Sequence, residues 1–200
     1  MTTKGRKLAL LLLLLVGLEI LLFTGSDATR WFWPRRRCTS DRPSPLWVND
    51  WRQDFNFKCP NSGGSISVWQ SKYKNCLRDR VYYFECKKGP FPYQNKDCST
   101  LHYTNDYNKP LNFKCPHNGV IAGVASTYSA STRDRRFAFQ CCLIPGHIAH
   151  TCKYETPLNT WHAPLRYVVP NGFYMMGAFS EYSKQDRKWQ FEICLVTNYG

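Results

Sequence analysis

One pattern recurs three times along this chain, and that recurrence limits the fold more than any other feature. The first copy runs Phe57-Lys-Cys59-Pro60, passes a turn ending at Gly64, and continues through Ile66 to Ser71 and Tyr73. It then gives Asp79-Arg80 and closes with Tyr82, Phe84 and Cys86. The second runs Phe113-Lys-Cys115-Pro116, Asn118-Gly119, Ile121 to Ser126, Tyr128, Asp134-Arg135, Phe137, Phe139 and Cys141-Cys142. The third runs Val169-Pro170-Asn171-Gly172, Met175 to Ser180, Tyr182, Asp186-Arg187, Trp189, Phe191 and Cys194. The Ser-x-Tyr elements lie 55 and 54 residues apart and the Asp-Arg pairs 55 and 52 apart.

Each copy reads as a β-hairpin. A Gly-containing turn precedes a first strand rich in small and β-branched residues. The second strand alternates with period two: Arg80, Tyr82, Phe84 and Cys86 share a face, as do Arg135, Phe137, Phe139 and Cys141, and Arg187, Trp189, Phe191 and Ile193. Side chains alternate across a strand, so each aromatic row is a core face. Pro, Gly and Asn interrupt the chain too often for long helices. The expected fold is all-β: one disulfide-stapled domain over residues 47–200, with repeats at about 47–86, 103–142 and 161–194. Three such units can meet about a pseudo-threefold axis.

Ten cysteines bear on the same point. Cys59 and Cys86 are 27 residues apart, and so are Cys115 and Cys142, which argues for two equivalent bridges. Each contributes roughly 3–4 kcal/mol on a chain-entropy model. Val169 stands where the third copy would have its first cysteine. The remaining six, Cys38, Cys76, Cys98, Cys141, Cys152 and Cys194, stay open among their alternative pairings.

Bridges need an oxidising compartment, and the N-terminus predicts one. Lys4, Arg6 and Lys7 precede an apolar run from Leu8 to Phe23, followed by the small residues Gly25, Ser26 and Ala28. Residues 1–28 read as a secretory signal peptide, and no later stretch reads as a membrane span. Residues 29–46 read as a basic, aromatic arm containing Trp31, Trp33, Arg35, Arg36 and Arg37. The whole chain carries 27 Lys and Arg against 14 Asp and Glu, a net +13. Outside the cell such an excess attracts glycosaminoglycans and anionic cell surfaces rather than nucleic acid.

Two groups of residues invite a metal or catalytic reading. The run Cys141-Cys142-Leu-Ile-Pro-Gly-His147-Ile-Ala-His150-Thr-Cys152 carries zinc-type ligands, but its spacing fits no standard module and secretory thiols oxidise. His117, His147, His150 and His162 form no nucleophile–base–orienter pattern, which argues against a secreted basic hydrolase. No enzyme activity, metal or cofactor is expected.

The three Asp-Arg-x-aromatic-x-aromatic copies resemble the mark of the dermatopontin family. They are supported by Cys59-Pro60, Asn118-Gly119-Val-Ile-Ala-Gly123, the vicinal Cys141-Cys142 and the early Trp47-Val-Asn-Asp. The resemblance covers about residues 47–194. It implies an extracellular-matrix protein that binds proteoglycans, contributes to collagen-fibril organisation and supports cell adhesion, with invertebrate relatives in cell agglutination or mineralised matrix. It also implies bridges Cys59–Cys86, Cys98–Cys141, Cys115–Cys142 and Cys152–Cys194, leaving Cys38 and Cys76 to pair with each other. This chain departs from the family's pattern in lacking the usual cysteine near the C-terminus, and in a Trp/Arg-rich rather than acidic, tyrosine-rich N-terminus. Its strongly basic balance is a further departure. It has no Arg-Gly-Asp tripeptide and no Asn-x-Ser/Thr sequon.

Two roles for the repeated motif follow. Structurally, Arg80, Arg135 and Arg187 can stack on neighbouring rings, and Asp79, Asp134 and Asp186 can accept backbone N–H bonds at their hairpin loops. As a ligand face, the loops carry Lys72, Lys74 and Arg78, then Arg133 and Arg136, then Lys184 and Lys188. With Arg35, Arg36 and Arg37 these cations can meet sulfates along one polysaccharide, linking weak contacts into avidity. The rival binding reading is a lectin that agglutinates cells through neutral sugars on aromatic platforms. Proteoglycans, collagen and cell surfaces are the expected partners. Neither nucleic acid nor, once the signal is removed, a membrane is expected, and self-association is allowed.

Overall fold

The fold is given by a computed structural model that describes residues 38–39, 44, 46–60, 64–88, 98–99, 101–143 and 145–198. The expected signal peptide and Arg35, Arg36 and Arg37 lie outside the described residues. Eleven strands and no helix make up what is described. Three long hairpins dominate: β2 (Gly64–Lys74) with β3 (Asp79–Lys88), β6 (Val120–Ser129) with β7 (Asp134–Cys142), and β10 (Phe173–Ser183) with β11 (Asp186–Asn198). The first two turn through residues 75–78 and 130–133, whereas the third turns through Lys184-Gln185 alone. Both of those residues have positive φ, 52° and 59°, the geometry of a two-residue turn matched to strand twist. The shorter turn accounts for the drop from 54 to 52 residues between the Ser-x-Tyr and Asp-Arg spacings.

A short lead strand precedes each hairpin: β1 (Phe55–Lys58), β5 (Leu111–Lys114) and β9 (Leu165–Val168). None joins its own hairpin. β1 pairs with β6, β5 with β10, and β9 returns to β2, so each unit gives a strand to the next and the last gives one to the first. The register is the same each time: Phe55 faces Ser126, Leu111 faces Ser180, and Leu165 faces Ser71. Each recipient strand bulges at one residue, Ser67, Ala122 or Met176. The carbonyl of that residue accepts the N–H that follows the lead strand, from Val169, Cys59 and Cys115 respectively, at 2.8 Å each. A bulge that re-aims one carbonyl thereby extends the pairing past the strand end. The strands β4 (His102–Tyr103) and β8 (His147–Tyr154) flank β7 and β11.

The aromatic rows meet inside. Trp69, Tyr82, Phe137, Trp189 and Phe191 are all at most 1 % exposed and contact one another across the three sheets. Trp69 and Trp189 centroids are 4.8 Å apart, and Phe137 meets Trp189 edge-on at 4.9 Å. Such pairs add roughly 0.5–1.5 kcal/mol beyond burial itself. One core therefore serves all three hairpins, and the described residues from Thr39 onward form one compact unit.

Two expected bridges need correction. Cys59–Cys86 and Cys152–Cys194 form as expected, but Cys115 pairs with Cys141 and Cys98 with Cys142. Strand register explains the exchange. Ile66 opposes Cys86 and Ile121 opposes Cys141, so Cys141, not Cys142, is the counterpart of Cys86. The turn leading to Ile121 is one residue shorter than that leading to Ile66, so matching loop lengths selected the wrong neighbour. Cys141 joins the core cluster with Cys115, while Cys142 points to the opposite face and forms an isolated bridge with Cys98. In the third unit Val169 and Ile193, both buried, stand in for the inward pair. Cys38 and Cys76 are each disulfide-bonded.

Candidate functional site

Asp79, Asp134 and Asp186 each open the second strand of a hairpin, and Arg80, Arg135 and Arg187 follow directly. Adjacent strand residues point to opposite sides, so an aspartate cannot pair with its own neighbour. Each arginine instead reaches the aspartate of another unit. Arg80 Nε and Nη2 donate to Asp186 at 2.5 and 2.8 Å, and Arg135 donates to Asp79 at 2.7 and 2.8 Å. Arg187 donates to Asp134 at 3.0 and 2.6 Å. Three two-pronged ion pairs thus close a ring, every member at most 4 % exposed. Burial alone would lower the Arg135 pKa, but the Asp79 carboxylate against it reverses that effect and raises it.

Buried charges persist only when their remaining donors and acceptors are used. The Oδ2 of Asp79, Asp134 and Asp186 also accepts a backbone N–H, from Arg52, Asn108 and His162, at 2.6–2.7 Å. These donors do not lie in the hairpin loops, as the sequence had suggested, but in turns on other segments. All three have left-handed φ of 61–65°. Each such turn begins at a buried asparagine, of which the sequence reading had picked out only the first, within Trp47-Val-Asn-Asp. Asn49 donates to the Arg80 carbonyl and accepts from Tyr82 N–H, and Asn105 does the same for Arg135 and Phe137. Asn159 repeats this with Arg187 and Trp189. The signal was present as Asn49-Asp-Trp-Arg, Asn105-Asp-Tyr-Asn and Asn159-Thr-Trp-His, spaced 56 and 54 residues apart.

The guanidinium groups also lie over rings, as expected: Arg80 over Tyr73 at 5.5 Å, Arg135 over Tyr128 and Arg187 over Tyr182 at 5.3 Å each. Arg80 and Arg187 donate to the hydroxyls of Ser71 and Ser180. The middle unit breaks the pattern, for the Ser126 Oγ is buried without a partner among the described residues. Tyr73 stacks on His162 at 4.5 Å. Burial and the nearby Asp186 charge push the Tyr73 hydroxyl up to about 12.

Above the ring lies a cavity of about 20 Å³, lined by the six charged residues with Tyr73, Tyr82, Arg78, Arg133 and Gln185. Arg78, Arg133 and Gln185 each immediately precede a ring aspartate. The expected loop cations separate into two groups. Lys72, Arg133 and Lys184 are exposed and Arg78 is half-buried. Lys74 lies over Trp51 at 5.7 Å, Arg136 over Tyr103 and Tyr107 at 4.5 and 4.8 Å, and Lys188 over Trp161 at 4.5 Å. The structure therefore gathers Arg78 and Arg133 at one opening, lays Lys74, Arg136 and Lys188 on rings, and leaves Lys72 and Lys184 exposed away from both.

Chemistry beyond charge is less well provided. Cys141, Cys142 and Cys152 are all in disulfides, so the 141–152 run offers no thiolate to a metal. Among the described residues one ligand-type trio, Cys152, Glu192 and Cys194, approaches metal-binding geometry, and two of its members are the halves of one disulfide. His117 and His162 are exposed, and His147 and His150 lie on the edge strand β8. Among the described residues no helix is long and apolar enough to cross a membrane.

The family model described as Dermatopontin matches residues 49–198, from the first buried asparagine to the last residue of β11. The chain belongs to the dermatopontin family. Within it, the chain is 33 % identical over 144 residues to a dermatopontin of Biomphalaria glabrata, covering 71 % of this chain and 95 % of that protein. It is 32 % identical over 159 residues to the hemagglutinin/amebocyte aggregation factor of Limulus polyphemus, covering 78 % and 90 %. To the dermatopontin of Mus musculus it is 28 % identical over 157 residues, covering 76 % and 78 %. No solved structure matches. For a dermatopontin-family chain, the ring gives the repeated Asp-Arg motif a structural use: the motif joins one unit to another.

Proposed function

We propose that this protein is a secreted binding and adhesion protein of the extracellular matrix that engages the glycosaminoglycans of proteoglycans and cell surfaces. Contributions to collagen-fibril organisation and cell adhesion belong to the same reading. The observation that supports it is a division of charge. The six ring charges cancel in buried pairs, while Lys72, Arg78, Arg133 and Lys184 stay at the solvent-facing hairpin ends. The ring thus adds no net charge, and the unpaired cations at the hairpin ends attract polyanions in a salt-dependent way. Kinship with a protein named for hemagglutination and amebocyte aggregation agrees with an adhesive role. No catalytic step is part of this reading.

Trp51, Tyr107 and Trp161 favour a second reading. They occupy matching places after the three buried asparagines and remain half-buried, as stacking platforms for neutral sugars would. Elution from immobilised heparin separates the two readings. The wild-type protein is expected to elute at clearly higher salt than a variant carrying Lys72→Gln, Arg78→Gln, Arg133→Gln and Lys184→Gln. Equal elution, with agglutination blocked by a monosaccharide at any salt, would replace polyanion binding with the lectin reading.

A further inference from the structure

We propose that the cavity over the Arg–Asp ring seats a single tetrahedral oxyanion ester, so that the protein grips one charged group on its central axis rather than three at separate loops. This deepens the polyanion reading and rests on it for the sulfate ester as the natural source. The cavity's roughly 20 Å³ holds one water-sized group, enough for the leading oxygen of a sulfate or phosphate ester while its sugar stays outside.

The charge around that opening is unbalanced. Every ring carboxylate is committed to an arginine from another unit and to a turn N–H. Among the described residues neither Arg78 nor Arg133 is ion-paired with a carboxylate, so two cations stand over a floor of cancelled charge. Gln185 completes the rim with an amide donor. Beneath them, Arg135 gives Nη1 to the Gln53 carbonyl but lacks the serine bond that Arg80 and Arg187 make, so it has one hydrogen bond fewer than either. Tyr73 keeps its hydroxyl proton to about pH 12 and so lines the site as a donor.

Backbone conformation points the same way. Arg78, Arg133 and Gln185 have φ of 52°, 56° and 59°. The left-handed region costs an L-residue roughly 1–2 kcal/mol and glycine nearly nothing. The hairpin turns impose this conformation, and where glycine would cost least, long donor side chains occupy all three positions at the mouth.

The decisive experiment pairs a gain with a loss. Calorimetric titration with a heparin tetrasaccharide is expected to give one site per chain. Arg78→Gln with Arg133→Gln should weaken it at least tenfold. Gln185→Arg should tighten it several-fold more than Ser131→Arg, which adds the same charge to an exposed loop outside the cavity. Equal effects of the two added arginines, or three sites per chain, would overturn the axial seat while leaving surface polyanion binding intact. NMR of the arginine Nε–H signals with inorganic sulfate gives an independent arm. Shifts at Arg78, Arg133 and Arg135 are expected, and their absence would refute the seat whatever heparin does. If the wild type ignores heparin yet shows these shifts, the polyanion reading fails and the seat stands. Tighter binding of a charge-matched phosphate monoester than of the sulfated sugar would assign the seat to phosphate.

Discussion

Removing Asp134 tests the ring where its chemistry is most exacting. The carboxylate receives Arg187 at 3.0 and 2.6 Å and the Asn108 N–H at 2.7 Å, with side-chain exposure of 3 % and 4 % across the pair. Asp134→Ala leaves Arg187 buried and uncompensated, a change that costs about 3–5 kcal/mol, and strands a backbone N–H besides. A domain of this size has a total stability of about 5–15 kcal/mol, so the variant loses roughly a fifth of it or more. With a guanidinium slope of about 4 kcal/mol/M, the unfolding midpoint should fall by roughly 1 M. Arg187→Ala should cost nearly as much. The combined Asp134→Leu, Arg187→Met variant should recover much of the loss, because two apolar groups leave no charge stranded. Denaturation followed by tryptophan fluorescence, disulfides intact, gives the three values, and their cycle gives the coupling. A coupling below about 0.5 kcal/mol, or single variants within about 0.3 M of wild type, would show that the ring does not hold the units together.

Three further outcomes follow from the same geometry. Asn105→Ala strips partners from the buried Arg135 carbonyl and Phe137 N–H and should cost about 2–4 kcal/mol, whereas exposed Asn112→Ala should be near neutral in the same melts. Val169→Cys with Ile193→Cys should form a third inward bridge, seen as two masses lost as hydrogen, with stability rising by about 3 kcal/mol. Tyr73, Tyr82 and Tyr167 are all raised, chiefly by burial, so their neutral forms favour the fold. Their contribution is whole below the ordinary tyrosine pKa of 10 and fades as pH climbs, for Tyr73 between 10 and about 12. Ultraviolet titration should show these phenols ionising after the exposed ones, and a single ionisation step near pH 10 for all tyrosines would contradict their burial.

The hairpins were legible because a period-two aromatic row needs no knowledge of its neighbours. Tyr82, Phe137 and Trp189 sit where the alternation put them, fully buried. The bridges were legible only in part. Cys141 and Cys142 differ by one residue, a single turn is one residue shorter, and only strand register tells which sulfur faces the core. The ring was hidden for another reason. The local sequence shows Asp beside Arg, which invites a local explanation, but the partners lie 53, 56 and 106 residues apart. Which unit meets which depends on how the chain closes, and that is a property of the assembled sheets. The asparagines at 49, 105 and 159 repeated as faithfully as the motif. They went unread as a repeat because asparagine is a common turn residue, whereas each spends its amide on buried backbone groups.

The return of β9 to β2 sets this molecule apart from open repeat arrays. In a solenoid, copies can be gained or lost at either end, since each needs only the copy beside it. Here the head of the chain borrows its side strand from the tail, and Arg80 takes its counter-ion from Asp186. A ribosome that has made two units has supplied the whole sheet of β1, β6, β7 and β4, yet β2 still lacks β9 and Asp134 still lacks Arg187. A fourth copy would find β2, β6 and β10 already flanked on both sides, each by a lead strand and its own hairpin partner.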